Sequence, residues 1–377
     1  MRLLRVVVLP GLAALLVACS SVGPAPSGTT TPSGPAVVVS PDVRADGAVT
    51  LRLRADDAVA VTASGDFGDL VLTKDPQGIW SGTTARLAPA VYAYSFTVDG
   101  VQRADPSNPD SNSASAFSLV TVPEDPPMAW EVQDVPHGQV TTVTLESDVL
   151  GRQRRLHVYT PPGYEDGTDP LPVLYLLHGY TDDDSTWTAV GKAHVIADNL
   201  AAQGVIEPMI IVMPYGQLDP STTHDDALGP EFAETFETEL LAEIIPAVEE
   251  TYRVVPDARH RAIAGLSMGG LQSAVIGMNH PEVFSTVGMW SAAVFDSPSV
   301  VLARLAEAPD DVQESFRYVE VAVGEQDDLL RRSAAIDSFL TSQGIDHVYA
   351  TTPGTHSWLL WRSYLVEFLP VFADIAS

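Results

Sequence analysis

The chain has one cysteine, Cys19, in 377 residues. No intramolecular disulfide can form, and the folded part has no thiol for nucleophilic catalysis or for a cysteine-ligated zinc. Lysine is almost as scarce. Lys74 and Lys192 are the only two, and 20 Lys+Arg stand against 49 Asp+Glu. The resulting formal charge of -29 repels polyphosphates and anionic headgroups, so nucleic acid is not an expected partner. Aromatic residues make up only 7%, which leaves little material for an exposed glycan-binding platform. The apolar run at 6–17 is too short to span a bilayer as a stable helix.

Composition divides the rest of the chain. Residues 1–18 combine Arg2 and Arg5 with that apolar run and end in Leu16-Val17-Ala18 before Cys19. This is the layout of an export signal, and the last four residues resemble the bacterial lipobox, in which the cysteine is acylated. Cys19 is therefore expected to carry a lipid anchor at the outer face of a bacterial membrane, which would be the chain's only membrane contact. Residues 19–36, rich in Ser, Thr, Pro and Gly, read as a flexible tether. Between 37 and 122 short alternating segments recur, at 49–54, 58–62 and 91–98, with turn residues such as Asp99-Gly100 between them. That pattern predicts a small β-sandwich. Trp80, Tyr92, Tyr94, Phe96, Asp99-Gly100, Asp105-Pro106 and Asn108 resemble the early-set immunoglobulin-like module found beside some bacterial esterases. Pro89-Ala90 departs from that module's usual Pro-Gly. With one tryptophan, Trp80, the module is expected to dock and shape a cleft rather than bind glycan. After a linker at 123–130, strands and helices alternate through 131–377, which predicts a mostly parallel sheet covered by helices on both faces. Helical spacing from Phe236 to Tyr252 encloses Pro246, where a local irregularity is expected.

The chemistry centres on Gly265-Leu266-Ser267-Met268-Gly269, a strand that enters a Gly-x-Ser-x-Gly corner and then a helix. Such an elbow lifts the serine hydroxyl clear of the backbone and points the N–H of Met268 into the same space. A serine needs a base, and the base needs an orienting acid, supplied in this fold in the order serine, acid, histidine. Asp327 and Asp328 compete for the acid role at the end of a predicted strand at 318–324, with Glu325 behind them. His356, in a Gly-containing loop after the last predicted strand, is the candidate base. His280 ends a helix, and His347 is expected within a strand. A second oxyanion donor is expected from the backbone N–H of Tyr180, after the strand ending at Leu177, with His178 a structural residue of that turn. Asp182-Asp183-Asp184 and His224-Asp225-Asp226 are read as solvated acidic loops rather than calcium sites. The loops at 215–232 and 291–312 are expected to build the acyl pocket.

Several stretches together resemble the esterase D-like branch of the α/β-hydrolases, closest to the bacterial feruloyl and acetylxylan esterases of carbohydrate esterase family 1. They are VYTPPGY at 158–164, LYLLHG at 174–179 with Trp187, Asp198-Asn199-Leu200, PMIIVMP at 208–214, GLSMGG at 265–270, and GTHSW at 354–358 with Trp361-Arg362. The resemblance covers about 137–372 and implies an α/β-hydrolase fold. It implies Ser267 as nucleophile, Asp327 as acid, His356 as base, and Tyr180 and Met268 as oxyanion donors. Thr355 stands where many relatives have glycine. The implied reaction is ester hydrolysis through an acyl-enzyme with no metal or organic cofactor, on small or polysaccharide-linked esters. Siderophore-ester hydrolysis, acyl transfer of the mycolyltransferase type, and a silent surface-binding role are the rivals. The order of Ser267, Asp327 and His356 argues against the last of these. Neither the acyl group, the alcohol nor the oligomeric state can be read from the sequence.

Overall fold

A computed structural model describes residues 38–112, 116–219, 223, 227, 229–307 and 314–377. The export signal, Cys19 and the whole tether lie outside the described residues, as does His224-Asp225-Asp226.

The first region forms two sheets. One joins β1 (Asp42–Val43), β2 (Val49–Arg54), β6 (Ile79–Thr83) and β5 (Thr73–Lys74) in the order β1-β2-β6-β5. The other runs β4 (Gly68–Val71), β3 (Val61–Gly65), β7 (Ala90–Val98), β10 (Phe117–Val122), β9 (Ser111–Asn112), with β8 (Val101–Arg103) on β7. Alternation decides what each face covers. Leu51, Leu53, Tyr92, Tyr94, Phe96 and Val120 fill the space between the sheets. Val91 and Leu119, pointing the other way, pack on Val190 with Trp130 and Trp358 of the following region. At β7 and β10 the second sheet is thus apolar on both sides, and this part of its outer face is covered by the second domain. Trp80 is a core residue, 8% exposed, whose indole N–H donates to Ala55 O at 3.0 Å. Among the described residues of this region, no aromatic is an exposed large hydrophobic. The strand expected at 58–62 starts at Val61, after a turn in which Asp99 accepts the N–H groups of Val59 and Ala60.

The second region holds one sheet of eight strands. They are β11 (Gln139–Ser147), β12 (Arg152–Thr160), β13 (Val173–Leu177), β14 (Ile210–Pro214), β15 (Arg261–Leu266), β16 (Thr286–Trp290), β17 (Tyr318–Gly324) and β18 (Val348–Thr352). Their order is β11-β12-β14-β13-β15-β16-β17-β18, with β13 to β18 parallel and β11 and β12 antiparallel at one edge. The continuous apolar runs follow from burial on both faces: Val173, Tyr175 and Leu177 enter one core, while Leu174 and Leu176 enter the other. On the second face lie α1 (Ala193–Ala202) and a long C-terminal helix; on the first lies α2 (Pro230–Glu239). Pro246 has no N–H for the turn behind it. The chain widens into a π turn at Leu240–Ile244 before α3 (Ile245–Thr251), the irregularity expected there.

The linker is held in place rather than loose. Asn199 Nδ2 donates to Ala129 O and Glu131 O at 2.7 and 2.8 Å. Asp198 accepts from Tyr159 OH at 2.7 Å and Gly138 N–H at 2.9 Å, and its other oxygen meets His137 at 3.0 Å. The Asp-Asn pair on α1 therefore fixes how the second region begins.

Candidate active site

Ser267 stands between β15 and α4 (Met268–Asn279) with φ 54° and ψ -113°, a strained conformation for a residue with a β-carbon. Its neighbours show why the corner needs glycine. A β-carbon on Gly265 would lie 2.5 Å from Gly269 O, and one on Gly269 would lie 2.5 Å from Leu177 O. The elbow is pinned by Ser267 N–H to Trp290 O at 2.9 Å and Ala293 N–H to Ser267 O at 3.0 Å. Met268 opens α4, so its N–H belongs to the helix end that carries partial positive charge.

Asp327 and His356 come from the exits of β17 and β18. His356 Nδ1 lies 3.1 and 3.0 Å from the two oxygens of Asp327. The carboxylate can only accept, so Nδ1 carries the proton and Nε2 is left with its lone pair. Asp327 is 5% exposed. Burial pushes its pKa up, but the His356 contact, the Leu329 N–H at 2.8 Å and the Ser291 hydroxyl outweigh this and hold it below the usual carboxylate range. Asp328 and Glu325 are exposed. The two loops are also tied together: Gln326 N–H donates to Gly354 O at 2.9 Å and Gly354 N–H to Gln326 Oε1 at 2.7 Å. The His356 ring meets Trp361 edge-on at 4.8 Å, and Trp361 Nε1 donates to Ser291 Oγ at 3.1 Å. Trp361 belongs to the C-terminal helix, α6 (Trp358–Ala376), counting Leu330–Ser342 as α5.

Ser267 and His356 line one cavity of about 550 Å³, although no hydrogen bond joins them directly. Tyr180 lines it too, on a turn that lies against the serine: a β-carbon on Gly179 would sit 3.7 Å from Ser267 Cβ. His178 is buried, and burial lowers its pKa. The neutral ring donates from Nδ1 to Gly179 O at 2.8 Å and accepts Gly216 N–H on Nε2 at 2.9 Å, a structural role as expected. His280 closes α4 and bonds Glu237 and Glu282. His347 precedes β18 rather than lying in it, because its ring is held by Asp337 and Ile345 O.

One expectation is corrected. Asp182-Asp183-Asp184 is not a solvated loop. Asp184, 1% exposed, accepts three bonds from Arg155 and meets His157 at 2.7 Å; these partners overcome burial and hold its pKa down to about 2. Asp182 lines the cavity, where burial pushes its carboxyl up to about 7 against the Gly179 N–H. Among the described residues no cluster of His, Cys, Asp or Glu is arranged to hold a metal ion. Of the described residues in the loops at 215–232 and 291–312, Leu218, Ala227 and Phe232 pack against Tyr180 and Met268, and none lines the cavity. Its second wall comes from the sandwich, through Asp66, Ala93, Phe117 and Leu119. Sequence reading missed these residues because nothing in a sandwich sequence says what its outer face covers. It also missed Ser291, whose only signal is its place just after β16.

Comparisons with known proteins bear on this geometry. Residues 147–372 match the family described as "Putative esterase". An endo-1,4-beta-xylanase/feruloyl esterase of Xylanibacter ruminicola is 31% identical over 341 residues, covering 86% of this chain and 44% of the relative. The chain spans about half the length, or less, of the first curated relatives it matches. A solved ferulic acid esterase is 31% identical with a TM-score of 0.55, over 63% of this chain and 99% of that one. The enterobactin esterase of Shigella flexneri, 20% identical, aligns with a TM-score of 0.68 over 87% of this chain and 93% of that one, a likeness of fold alone. With its eight-stranded mixed sheet, its serine elbow and a family match that spans most of the second domain, the chain belongs to this esterase family and has a fold of the α/β-hydrolase type.

Proposed function

We propose that the chain is an exported serine ester hydrolase, lipid-anchored at Cys19, that cleaves feruloyl or acetyl esters of plant polysaccharides. One observation carries the reading: a single cavity is lined by a strained serine elbow and by a histidine whose Nδ1 is held by a buried carboxylate. In this mechanism His356 Nε2 takes the Ser267 proton as Oγ attacks the ester carbonyl. The N–H groups of Met268 and Tyr180 hold the oxyanion, and Asp327 stabilises the imidazolium. His356 then protonates the leaving alcohol, and water repeats the cycle to release the acid. The names of the relatives, a feruloyl esterase/xylanase and a ferulic acid esterase, support the choice of substrate. The sandwich, taken as immunoglobulin-like, works by packing at the cleft.

The test is a panel of methyl ferulate, acetylated xylan and a catecholate siderophore ester, run with wild type and Ser267→Ala. Hydrolysis of the first two that disappears in Ser267→Ala is the expected result. Turnover of the siderophore ester alone would replace the substrate class, and full activity in Ser267→Ala would remove the serine mechanism. Cys19→Ser is expected to release the protein from the membrane fraction with catalysis intact.

A further inference from the structure

The cavity wall contributed by the sandwich carries one ionisable group, Asp66, on the tight turn between β3 and β4. Its position is set by a two-way clamp to β7. Asp66 N–H donates to Ala93 O at 3.0 Å, and Asp66 Oδ2 accepts Ala93 N–H at 2.8 Å. Gly65 makes the clamp possible, since a β-carbon there would lie 2.2 Å from Ala93 O. Asp66 Oδ1 has no hydrogen bond among the described residues, and the side chain lines the cavity that holds Ser267 and His356. Asp66 is exposed at the cavity rim, where partial desolvation raises its pKa against the Ala93 bond and the charge of Arg362. Arg362 is itself fully buried, bonded through Nε to Val190 O at 2.9 Å, with neither terminal nitrogen bonded among the described residues. Beside Asp66 the wall is apolar and partly aromatic: Phe117, Leu119, Val190 and Trp358.

A pre-positioned acceptor with a free oxygen, set among surfaces suited to a ring, selects a neutral group that can donate a hydrogen bond and disfavours an anionic one. We propose that Asp66 of the sandwich is a specificity-determining residue of the esterase, accepting a hydrogen bond from a hydroxyl on the ring that the substrate places between the domains. This rests on the serine-esterase reading above. The hydroxyl is either a phenol on the acyl side or a sugar hydroxyl on the alcohol side, so the test has two arms.

One arm compares methyl 4-hydroxycinnamate with methyl cinnamate; the other compares a methyl xyloside monoacetate with cyclohexyl acetate. The readout is the ratio of kcat/KM, hydroxylated over deoxy, in wild type, Asp66→Ala and Asp66→Asn. Asn keeps an acceptor for Ala93 N–H, so it preserves the turn should Ala loosen it. Wild type is expected to prefer the hydroxylated ester by about tenfold or more in one arm, as a hydrogen bond to a charged group warrants. In the variants that ratio falls toward one, and the arm that responds identifies the side. A wild type without preference in either arm, or a ratio unchanged in a folded variant, overturns the proposal while hydrolysis itself stands. Hydrolysis of the deoxy esters that survives Ser267→Ala removes the parent reading instead, and the proposal with it.

Discussion

Asp327 holds His356 through both carboxylate oxygens, at 3.1 and 3.0 Å from the same ring nitrogen. Two acceptors on one N–H fix the tautomer and supply the charge that an imidazolium needs. Asp327→Asn keeps the shape, removes the charge and lets the amide favour the wrong tautomer. A kcat loss of about 10³–10⁴-fold is expected. Asp328→Asn alters an exposed neighbour and is expected to stay within about twofold. Steady-state kinetics on an aryl ester check both, and the reverse ranking would move the role to Asp328.

Gly269→Ala tests the elbow as a packing constraint. Its β-carbon would meet Leu177 O at 2.5 Å and His178 O at 2.7 Å, both backbone atoms that can move only with the strand exit. A loss of about 2–3 kcal/mol is expected by urea unfolding. Gly151→Ala, where nothing lies within 4 Å but φ is +63°, is expected to lose only about 1 kcal/mol to left-handed strain.

Asp182 carries a stability penalty that depends on pH. Its folded pKa, about 7, exceeds the ordinary carboxyl value of 3.8, so the folded state binds the extra proton. Stability from this group therefore falls as pH rises from about 4 to about 7 and is level beyond. Asp182→Asn keeps an acceptor for Gly179 N–H and removes the penalty. Its advantage over wild type is expected to be small at pH 5 and on the order of 2–3 kcal/mol at pH 8, allowing for water in the cavity. Equal advantages at the two pH values would contradict the assignment.

Arg154 and Glu239 form an ion pair 3% and 0% exposed, at 2.8 Å. Arg154 also donates to Gln217 O at 2.6 Å and to Tyr215 O, so it holds the exit of β14, whose Gly216 N–H bonds His178. Arg154→Met leaves a buried carboxylate alone and is expected to cost about 3–5 kcal/mol. Adding Glu239→Leu is expected to recover most of that loss in denaturant unfolding, because the unpaired charge goes with it. No recovery would mean that the carbonyl contacts dominate.

Much of the architecture was legible in the sequence because it is local. Buried parallel strands read as unbroken apolar runs, Pro246 marked its own irregularity, and the glycines around Ser267 announced a corner that only glycine can turn. The order of Ser267, Asp327 and His356 was equally plain, but the choice between Asp327 and Asp328 was not. Adjacent residues on a loop differ only in which way they point, and the fold buried the first and exposed the second. The acidic run at 182–184 was misread for the same reason: its partners, Arg155 and His157, lie on a strand distant in sequence. The cavity's second wall depends most of all on tertiary structure. Val91 could be read as a strand residue, yet what its side of the sheet covers follows from domain packing, which brings Asp66 into the cavity of Ser267 through contacts that no local pattern encodes.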